Sequence, residues 1–220
     1  MECVETKPYG LLRQLFFALV VRPFTLVALG LNVRGSERLP FRGPAIIVAN
    51  HNSHLDTLAL MTLFPLSVLR IVRPVAAADY FLKNKYVAWL ALRLIGIIPI
   101  ARAEIGHKHD PLEPCYRALE RGEILIVFPE GSRGEPERLG KFKTGVAHLA
   151  EKFAHAPVIP VFMHGMGKAL PRGEAIFVPF FCDICVGEPF TWPGDRKAFM
   201  DHMEETMKDL AGQLQPPEWE

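Results

Sequence analysis

Short apolar runs alternate with helical segments through most of the chain, and this alternation constrains the fold more than any other feature of the sequence. Short strands that alternate with helices predict an α/β fold, in which a mixed, mostly parallel sheet is covered by helices on both faces. The predicted strands are residues 44–49, 71–77, 97–101, 123–128 and 158–163. The predicted helices are residues 54–64, 86–95, 110–121, 146–153 and 195–214.

The length and charge of the chain limit its domain count and its partners. The 220 residues suit one α/β domain with a single core, and no linker rich in proline, glycine or serine divides them. We expect an apolar N-terminal segment at 1–33, the α/β domain at 34–214 and a tail at 215–220. The formal net charge is +1, so the sequence lacks the basic surface that nucleic-acid binding requires. We therefore expect no nucleic-acid partner.

The segment 11–33 is almost wholly apolar and suggests an association with membranes. Arg13, Arg22-Pro23 and Asn32 interrupt it. They leave no uncharged run long enough for a membrane-spanning helix. Pro23 predicts a break into two short helices, at about 9–21 and 24–31, whose arginines could reach lipid headgroups. We expect a membrane-associated helical hairpin that lies in one leaflet; the alternative is a pair of buried core helices.

A second apolar stretch covers residues 86–100. Its Tyr86 and Trp89 suit a membrane–water interface, where amphipathic aromatic rings are enriched. Aromatic residues at helical spacing also pack in protein cores. Both interpretations stay open.

The cysteines indicate a reducing compartment. Four cysteines in 220 residues do not form the framework of a disulfide-stapled domain. The first residues are acidic, where a secretory signal would be basic, so we expect a cytoplasmic setting. Cys182 and Cys185 form a C-x-x-C in a strand-like run without a second pair, which favours buried structural cysteines over a metal or redox site.

The first candidate site follows the predicted strand 44–49 and reads Asn50-His51-Asn52-Ser53-His54-Leu55-Asp56. It places a histidine at a strand end and an aspartate five residues later, just inside a helix. A turn between them would let Asp56 accept a hydrogen bond from Nδ1–H of His51, which leaves Nε2 as a general base. The nucleophile would then be a hydroxyl group of the substrate.

Two other interpretations of this segment compete. Ser53 and Asp56 fit a capping pattern, in which the carboxylate only completes a helix N-terminus. His51, His54 and Asp56 are also possible ligands of zinc or iron. However, metal-binding loops of the metallo-β-lactamase type read H-x-H-x-D-H, and Asn52 and Thr57 occupy two of the required histidine positions. We therefore expect no metal.

The second candidate site, 128–134, follows the predicted strand 123–128, at the end where a parallel sheet forms its cleft. Its two glycines allow close approach of a ligand, the Arg133 guanidinium matches a phosphate, and Glu130 could orient that arginine or accept a hydrogen bond from a substrate hydroxyl. Other cations could complete a basic mouth for a phosphorylated headgroup: Arg102, Lys108, Arg138, Lys141 and Lys143. The alternative is a solvated loop with a surface ion pair.

Together these segments resemble the glycerophosphate/1-acylglycerol-3-phosphate acyltransferases, a family of lysophospholipid acyltransferases with bacterial members. Four ordered blocks carry the resemblance across residues 50–161, about half of the chain. The blocks are N-H-x-S-x-x-D at 50–56, G-x-I-x-x-x-R at 96–102, F-P-E-G-[ST]-R at 128–133 followed by Phe142-Lys143-Thr144-Gly145, and V-[IV]-P-V at 158–161.

The resemblance implies roles for these residues. His51 would deprotonate the hydroxyl of a lysophospholipid for attack on an acyl thioester, and Asp56 would orient the ring and stabilise the imidazolium. The substrate-binding residues would be Arg102, Glu130, Gly131, Ser132, Arg133 and Lys143. The reaction needs neither a metal nor another cofactor, since the thioester of coenzyme A or acyl carrier protein is a co-substrate.

The resemblance also implies a substrate and a location. The first choice of acceptor is 1-acylglycerol-3-phosphate, which would give phosphatidic acid. The alternatives are another lysolipid, including a lyso-aminolipid, or a catalytically idle membrane lipid-binding protein. We expect the protein on the cytoplasmic face of the membrane, held as a monotopic or peripheral protein by its N-terminal segment.

Overall fold

Seven strands form one sheet in the described part of the chain. The structure is a computed structural model that describes residues 10–53, 55–81, 84–101, 110–132, 139–166 and 180–214. The strands are β1 (Leu29–Arg34), β2 (Ala45–Ala49), β3 (Val72–Ala77), β4 (Ile98–Ile100), β5 (Ile124–Val127), β6 (Val158–His164) and β7 (Phe180–Val186). Their order across the sheet is β1-β7-β6-β2-β5-β3-β4.

Five neighbouring strands, β6-β2-β5-β3-β4, run parallel to one another. Strand β7 pairs antiparallel with β6, and β1 pairs parallel with β7, so these two edge strands run in the opposite direction. The predicted mixed, mostly parallel sheet is confirmed. All five residues of β2 are buried, as expected for a central strand covered on both faces.

The helices lie on both faces of the sheet. They are α1 (Gly10–Phe16), which continues through a π-helical turn (Phe17–Val21) into α2 (Arg22–Ala28), then α3 (Leu55–Thr62), α4 (Ala78–Phe81), α5 (Lys85–Trp89) with a π-helical turn (Leu90–Ile95), α6 (Glu113–Glu120), α7 (Gly145–Lys152) and α8 (Arg196–Leu214). Ile47 of β2 packs in one core cluster with Phe17 and Leu60. Ile46 packs on the other face with Leu119. The two clusters follow the alternation of side chains along a strand.

The N-terminal segment differs from the predicted hairpin, and that prediction is wrong. Gly10–Ala28 is one continuous helical path, in which Phe16 and Val21 both have right-handed helical backbone angles. The π-helical turn directly before Pro23 changes the hydrogen-bond pattern where proline removes a donor, so the helix continues through the proline. The chain then enters β1 at Leu29, inside the segment predicted as the second helix.

The arginines of this helix face the protein, which corrects the prediction that they reach lipid headgroups. Arg13 is 0% exposed and donates hydrogen bonds to the carbonyl oxygens of Leu69, Val72 and Ile95. Arg22 donates to the carbonyl oxygen of Phe64 at 2.6 Å. Residues four apart share a helix face, so Phe17 and Val21 are buried beside Arg13. The opposite face is left apolar and exposed.

The cysteines of the C-x-x-C are buried and carry no disulfide. Cys182 packs in the core cluster with Phe17, whereas Cys185 packs in the cluster with Leu119. The two thiols therefore lie on opposite faces of β7, since residues three apart on a strand point to opposite sides. The prediction of buried structural cysteines is confirmed.

Candidate active site

The two candidate segments meet at the carboxyl ends of β2 and β5. These strands are parallel neighbours, so the residues that follow them emerge at the same edge of the sheet. The imidazole of His51, after β2, stacks on the ring of Phe128, after β5, with 4.3 Å between the ring centroids and 25° between the planes. The fold thus brings together two blocks that are far apart in the sequence.

His51 and Asp56 form the hydrogen-bonded pair that their spacing predicts. The distance from Nδ1 of His51 to Oδ2 of Asp56 is 2.9 Å. The same oxygen accepts hydrogen bonds from the main-chain N–H groups of Asn52, at 2.6 Å, and Ser53, at 2.8 Å. With Nδ1–H donating to the carboxylate, the lone pair of the neutral ring lies on Nε2.

The contacts of the predicted helix cap are present as well. Ser53 Oγ accepts from the N–H of Leu55 at 3.3 Å, while Asp56 reaches back to the N–H of Ser53. These contacts belong to the N-terminus of α3, and they anchor the carboxylate on a rigid helix. Capping and pairing with His51 therefore use the same aspartate.

Exposure differs sharply within this pair. The side chain of His51 is 20% exposed, whereas that of Asp56 is 0% exposed. A substrate can therefore approach the ring from solvent, while the carboxylate is shielded behind it. An orienting group that is buried and a base that is open to the cleft suit general-base catalysis.

Glu130 approaches His51 from the β5 side. Its Oε1 accepts the main-chain N–H of His51 at 3.2 Å. Burial raises the pKa of the Glu130 carboxyl above its ordinary value, and the nearby Asp56 adds to this, while hydrogen bonds from the N–H groups of His51 and Gly140 act in the opposite direction. This carboxyl thus contacts the main chain that carries the candidate base, and its predicted role in substrate binding stays a prediction.

Gly131 lets a lysine lie across the turn that follows Glu130. It has a φ angle of 68°, and a Cβ atom there would collide with the Lys143 ammonium. The N–H of Lys143 donates to the carbonyl oxygen of Pro129 at 2.8 Å, and the neighbouring Phe142 is buried. The exposed Lys143 is therefore held beside the turn formed by Glu130, Gly131 and Ser132.

Several predicted site residues lie outside the described residues: His54, Arg102, Lys108, Arg133 and Arg138. The structure therefore brings His51 and Asp56 together with Glu130, Gly131, Ser132 and Lys143, and these six stand at one edge of the sheet. Among the described residues, no group of three His, Cys, Asp or Glu side chains could hold a metal ion.

The sequence interpretation assigned no role to Asn50 or to the ring of Phe128. Asn50 Oδ1 accepts the N–H of Met163 at 2.7 Å, and its Nδ2 donates to the carbonyl oxygen of Met163 at 2.8 Å. An amide placed directly after a buried strand was the available signal. Its partner is main chain, however, and leaves no mark on the sequence.

The fold of this chain, and the sequence that carries its site, match a known class of proteins. A family profile described as Acyltransferase matches residues 30–164, which is more than half of the 220 residues. The chain therefore belongs to the acyltransferase family, and the resemblance seen in the four sequence blocks is confirmed. The matched segment contains His51, Asp56 and the turn after β5.

Its relatives in that family are named as lysophosphatidic acid acyltransferases. The chain is 31% identical, over 76% of its length, to the chloroplastic 1-acyl-sn-glycerol-3-phosphate acyltransferase LPAT1 of Arabidopsis thaliana, and covers 44% of that protein. It is 30% identical, over 83% of its length, to 1-acyl-sn-glycerol-3-phosphate acyltransferase alpha of Mus musculus, and covers 64% of it. The chain thus spans less than two thirds of either relative.

A solved structure has the same fold. The crystal structure of the 1-acyl-sn-glycerophosphate (LPA) acyltransferase PlsC from Thermotoga maritima superposes with a TM-score of 0.70 and 26% sequence identity. The superposition covers 94% of this chain and 80% of the PlsC chain. The mixed α/β architecture described above is therefore the fold of PlsC.

Proposed function

We propose that this protein transfers a fatty acyl group from an acyl thioester to the free hydroxyl of a lysophospholipid. The observation that carries the proposal is the pairing of a partly exposed His51 with a buried Asp56, at 2.9 Å, at the cleft edge of an acyltransferase-family fold. The named relatives support 1-acylglycerol-3-phosphate as the acceptor, with phosphatidic acid as the product.

The proposed reaction proceeds by general-base catalysis. Nε2 of His51 takes the proton of the acceptor hydroxyl as its oxygen attacks the thioester carbonyl carbon. The tetrahedral intermediate collapses, the carbon–sulfur bond breaks, and the imidazolium returns the proton to the leaving thiolate. Asp56 holds Nδ1–H throughout and stabilises the imidazolium. A well-placed base of this kind accelerates such a step by about 10²- to 10⁴-fold.

The acceptor phosphate would bind beside the turn that follows β5. Lys143 supplies a cation there, and Gly131 leaves room for its ammonium. A phosphate held at this turn would lie beside the strand end that carries His51, since Glu130 already contacts the His51 main chain. The predicted contributions of Arg102 and Arg133 to the same phosphate rest on the sequence blocks alone.

The proposed co-substrate is the thioester of coenzyme A or of acyl carrier protein. Alcoholysis of a thioester proceeds without a change of oxidation state, and positioning with general-base catalysis supplies its acceleration. We therefore propose no metal and no further cofactor.

We further propose that the protein lies on a membrane, on its cytoplasmic face, as a monotopic or peripheral protein. In the described residues, one helical stretch is long and apolar enough to cross a membrane: Gly10–Val27, with 18 residues, a mean hydropathy of 1.5 and 22% of the stretch buried. One side of this helix is fixed to the sheet by Arg13 and Phe17. A helix bound along one side to a folded domain can lie in a bilayer surface but cannot also be surrounded by lipid.

A second exposed apolar segment supports the same membrane surface. α1 contacts the π-helical turn that follows α5, so the two segments are neighbours. The exposed large apolar side chains on them are Leu11, Leu12, Leu15, Leu19, Val20, Phe24, Leu26 and Val27 from the N-terminal helix and Tyr86, Val87, Trp89 and Leu90 from the second segment. Tyr and Trp favour the headgroup level of a bilayer, so both segments can bind one lipid surface.

The experiment that tests the proposed function is release of free thiol from palmitoyl-coenzyme A by the purified protein. The acceptors are 1-acylglycerol-3-phosphate and a panel of other lysolipids, with His51→Ala as the matched variant. We expect release that requires both the acceptor and His51, and that is fastest with 1-acylglycerol-3-phosphate. Acyl carrier protein thioesters are tested in parallel. If no acceptor stimulates release from either donor, the proposed function is wrong.

A further inference from the structure

Strand β2 ends in a main-chain clamp built by the side chain of Asn50. The last main-chain register pair between β2 and β6 is Ala49 with Val161. Two residues further along β6, the Asn50 side chain replaces main-chain pairing. It accepts the N–H of Met163 at 2.7 Å and donates to the Met163 carbonyl oxygen at 2.8 Å. The side chain is nearly fully buried, with 1% exposure. Both main-chain polar groups of Met163 are therefore satisfied by one amide.

Because a side chain pairs with Met163 in place of main chain, the backbone after Asn50 does not have to continue along β6. A strand that continued its ladder would keep His51 in the plane of the sheet, beside β6. Because the amide of Asn50 completes the pairing instead, the main chain can turn toward β5, where the ring of His51 stacks on Phe128. The structure thus holds β2 to β6 at Asn50 and places the very next residue over β5.

The β5 side supplies the opposite contact. The main-chain N–H of His51 donates to Glu130, and its Nδ1 pairs with Asp56. The position of His51 is therefore determined from both neighbouring strands and from α3. The contact with β6 is made by Asn50, which has no other role in the proposed mechanism.

Only an amide of this length satisfies both groups of Met163. Aspartate has the same shape but no donor, so the Met163 carbonyl oxygen would lose its partner and face a carboxylate. Leucine has a similar size and neither group. Buried main-chain groups left unpaired are strongly unfavourable, so the strand end would shift to find other partners.

We propose that Asn50 is a positioning residue for the reaction, which sets the place of His51 at the cleft through the main chain of Met163. This inference rests on the proposed function for its kinetic consequences, whereas its structural consequences can be measured without any substrate. A displacement of about 1 Å at a reacting group lowers a rate by about 100-fold, while binding of substrates elsewhere in the cleft is little affected.

The test compares Asn50→Asp with the full-length wild-type protein in the same detergent or vesicle preparation. We expect kcat to fall by about 100-fold, with little change in the KM of the acceptor. Gln213→Glu is the matched control, because it makes the same amide-to-carboxylate change at an exposed residue near the end of α8 and should leave kcat unchanged. A purely structural role would lower the folded fraction but not kcat per folded molecule. A wild-type kcat in folded Asn50→Asp would overturn the proposal, as would a change confined to KM.

Two measurements keep the test decisive if a variant does not fold or the wild-type protein proves inactive. Hydrogen exchange of the Met163 amide in the wild-type protein should be slow, and rapid exchange would overturn the proposal outright. Nitrogen-15 spectra of the His51 ring should show the Nδ1–H tautomer in the wild-type protein and a mixture of tautomers in Asn50→Ser, a smaller change. If thiol release is absent in the wild-type protein but the ring spectra differ in this way, the proposed function fails and the positioning role of Asn50 stands.

Discussion

The two edges of the sheet both bury charged side chains, but they treat them differently. At the amino ends of the parallel strands, Arg13 donates to three carbonyl oxygens, and Arg73 donates to the carbonyl oxygen of Gly96 at 2.7 Å and to Glu123 at 3.4 Å. At the carboxyl ends, by contrast, His51 remains 20% exposed. The charged side chains at the amino ends hold the chain together, whereas the ring of His51 at the carboxyl ends is accessible to a substrate.

Glycines serve these two edges in different ways. Gly96 has a φ angle of 76°, and a Cβ atom there would lie 3.1 Å from the Arg13 guanidinium carbon, so this glycine makes room for a structural cation. Gly131, at the other edge, makes room for the exposed Lys143. Both glycines belong to the sequence blocks of the family resemblance. Gly96 therefore supports the fold, whereas Gly131 supports the cleft.

The largest effect on activity is expected at the carboxyl edge, from Asp56→Asn. An asparagine can donate a hydrogen bond to Nδ1, which favours the ring tautomer with its proton on Nε2 and removes the base. We expect kcat to fall by about 10³-fold. The measurement is thiol release under saturating acceptor, and Asp201→Asn on the exposed side of α8 is the control. Full activity in Asp56→Asn would show that the pair is only a helix cap.

The largest effect on stability is expected at the amino edge, from Arg13→Met. The change leaves three carbonyl oxygens without their donor, so we expect the free energy of unfolding to fall by about 3 kcal/mol. Arg22→Met is the matched control in the same helix. Arg22 makes one carbonyl hydrogen bond in the structure, so its loss is expected to be about 1 kcal/mol. Chemical denaturation measures both, and equal losses would contradict the distinction between the two arginines.

The amino edge also shows what the sequence could not predict. Arg13 stands in an apolar helix, and its partners are main-chain carbonyl groups of Leu69, Val72 and Ile95, which no sequence pattern marks. From the sequence alone, Arg13 is therefore expected to reach lipid headgroups. Similarly, residues 29–31 lie in the predicted helix 24–31 but belong to β1, because this segment pairs with β7, which lies far along the chain. Long-range pairing overrode the local preference for helix.

The carboxyl edge was predictable where its contacts are local. The turn from His51 to Asp56 closes within one strand-to-helix connection, so the spacing was enough to propose the pair. The five parallel strands were predicted within a few residues, because each is a short buried apolar run between helical segments. The stacking on Phe128 and the contact of Glu130 with the His51 main chain were not, since they depend on which strands become neighbours.

A smaller effect is expected on the exposed apolar face of the N-terminal helix. Leu19, Leu26 and Val27 are exposed, and replacing all three with serine should weaken binding to phospholipid vesicles by about 100-fold. Vesicle flotation measures the change, and Phe41→Ser is the control for loss of an exposed apolar residue elsewhere. The free energy of unfolding should be unchanged, in contrast to Arg13→Met. Unchanged flotation would place the membrane contact elsewhere on the protein.

The smallest effect on stability is expected from Glu130→Gln, and it is a change in the pH dependence of stability. Burial raises the pKa of Glu130 in the folded protein above the ordinary value of 4.5. The folded state therefore holds this proton more tightly than the unfolded state, so the carboxyl stabilises the fold fully below pH 4.5 and this contribution is lost as the pH rises through the raised value. Glutamine does not titrate but can still accept the N–H of His51. We expect the variant to gain stability relative to the wild-type protein as the pH increases across this interval. Chemical denaturation at a series of pH values tests this, and a difference that stays constant with pH would show that the pKa of Glu130 is not raised in the folded protein.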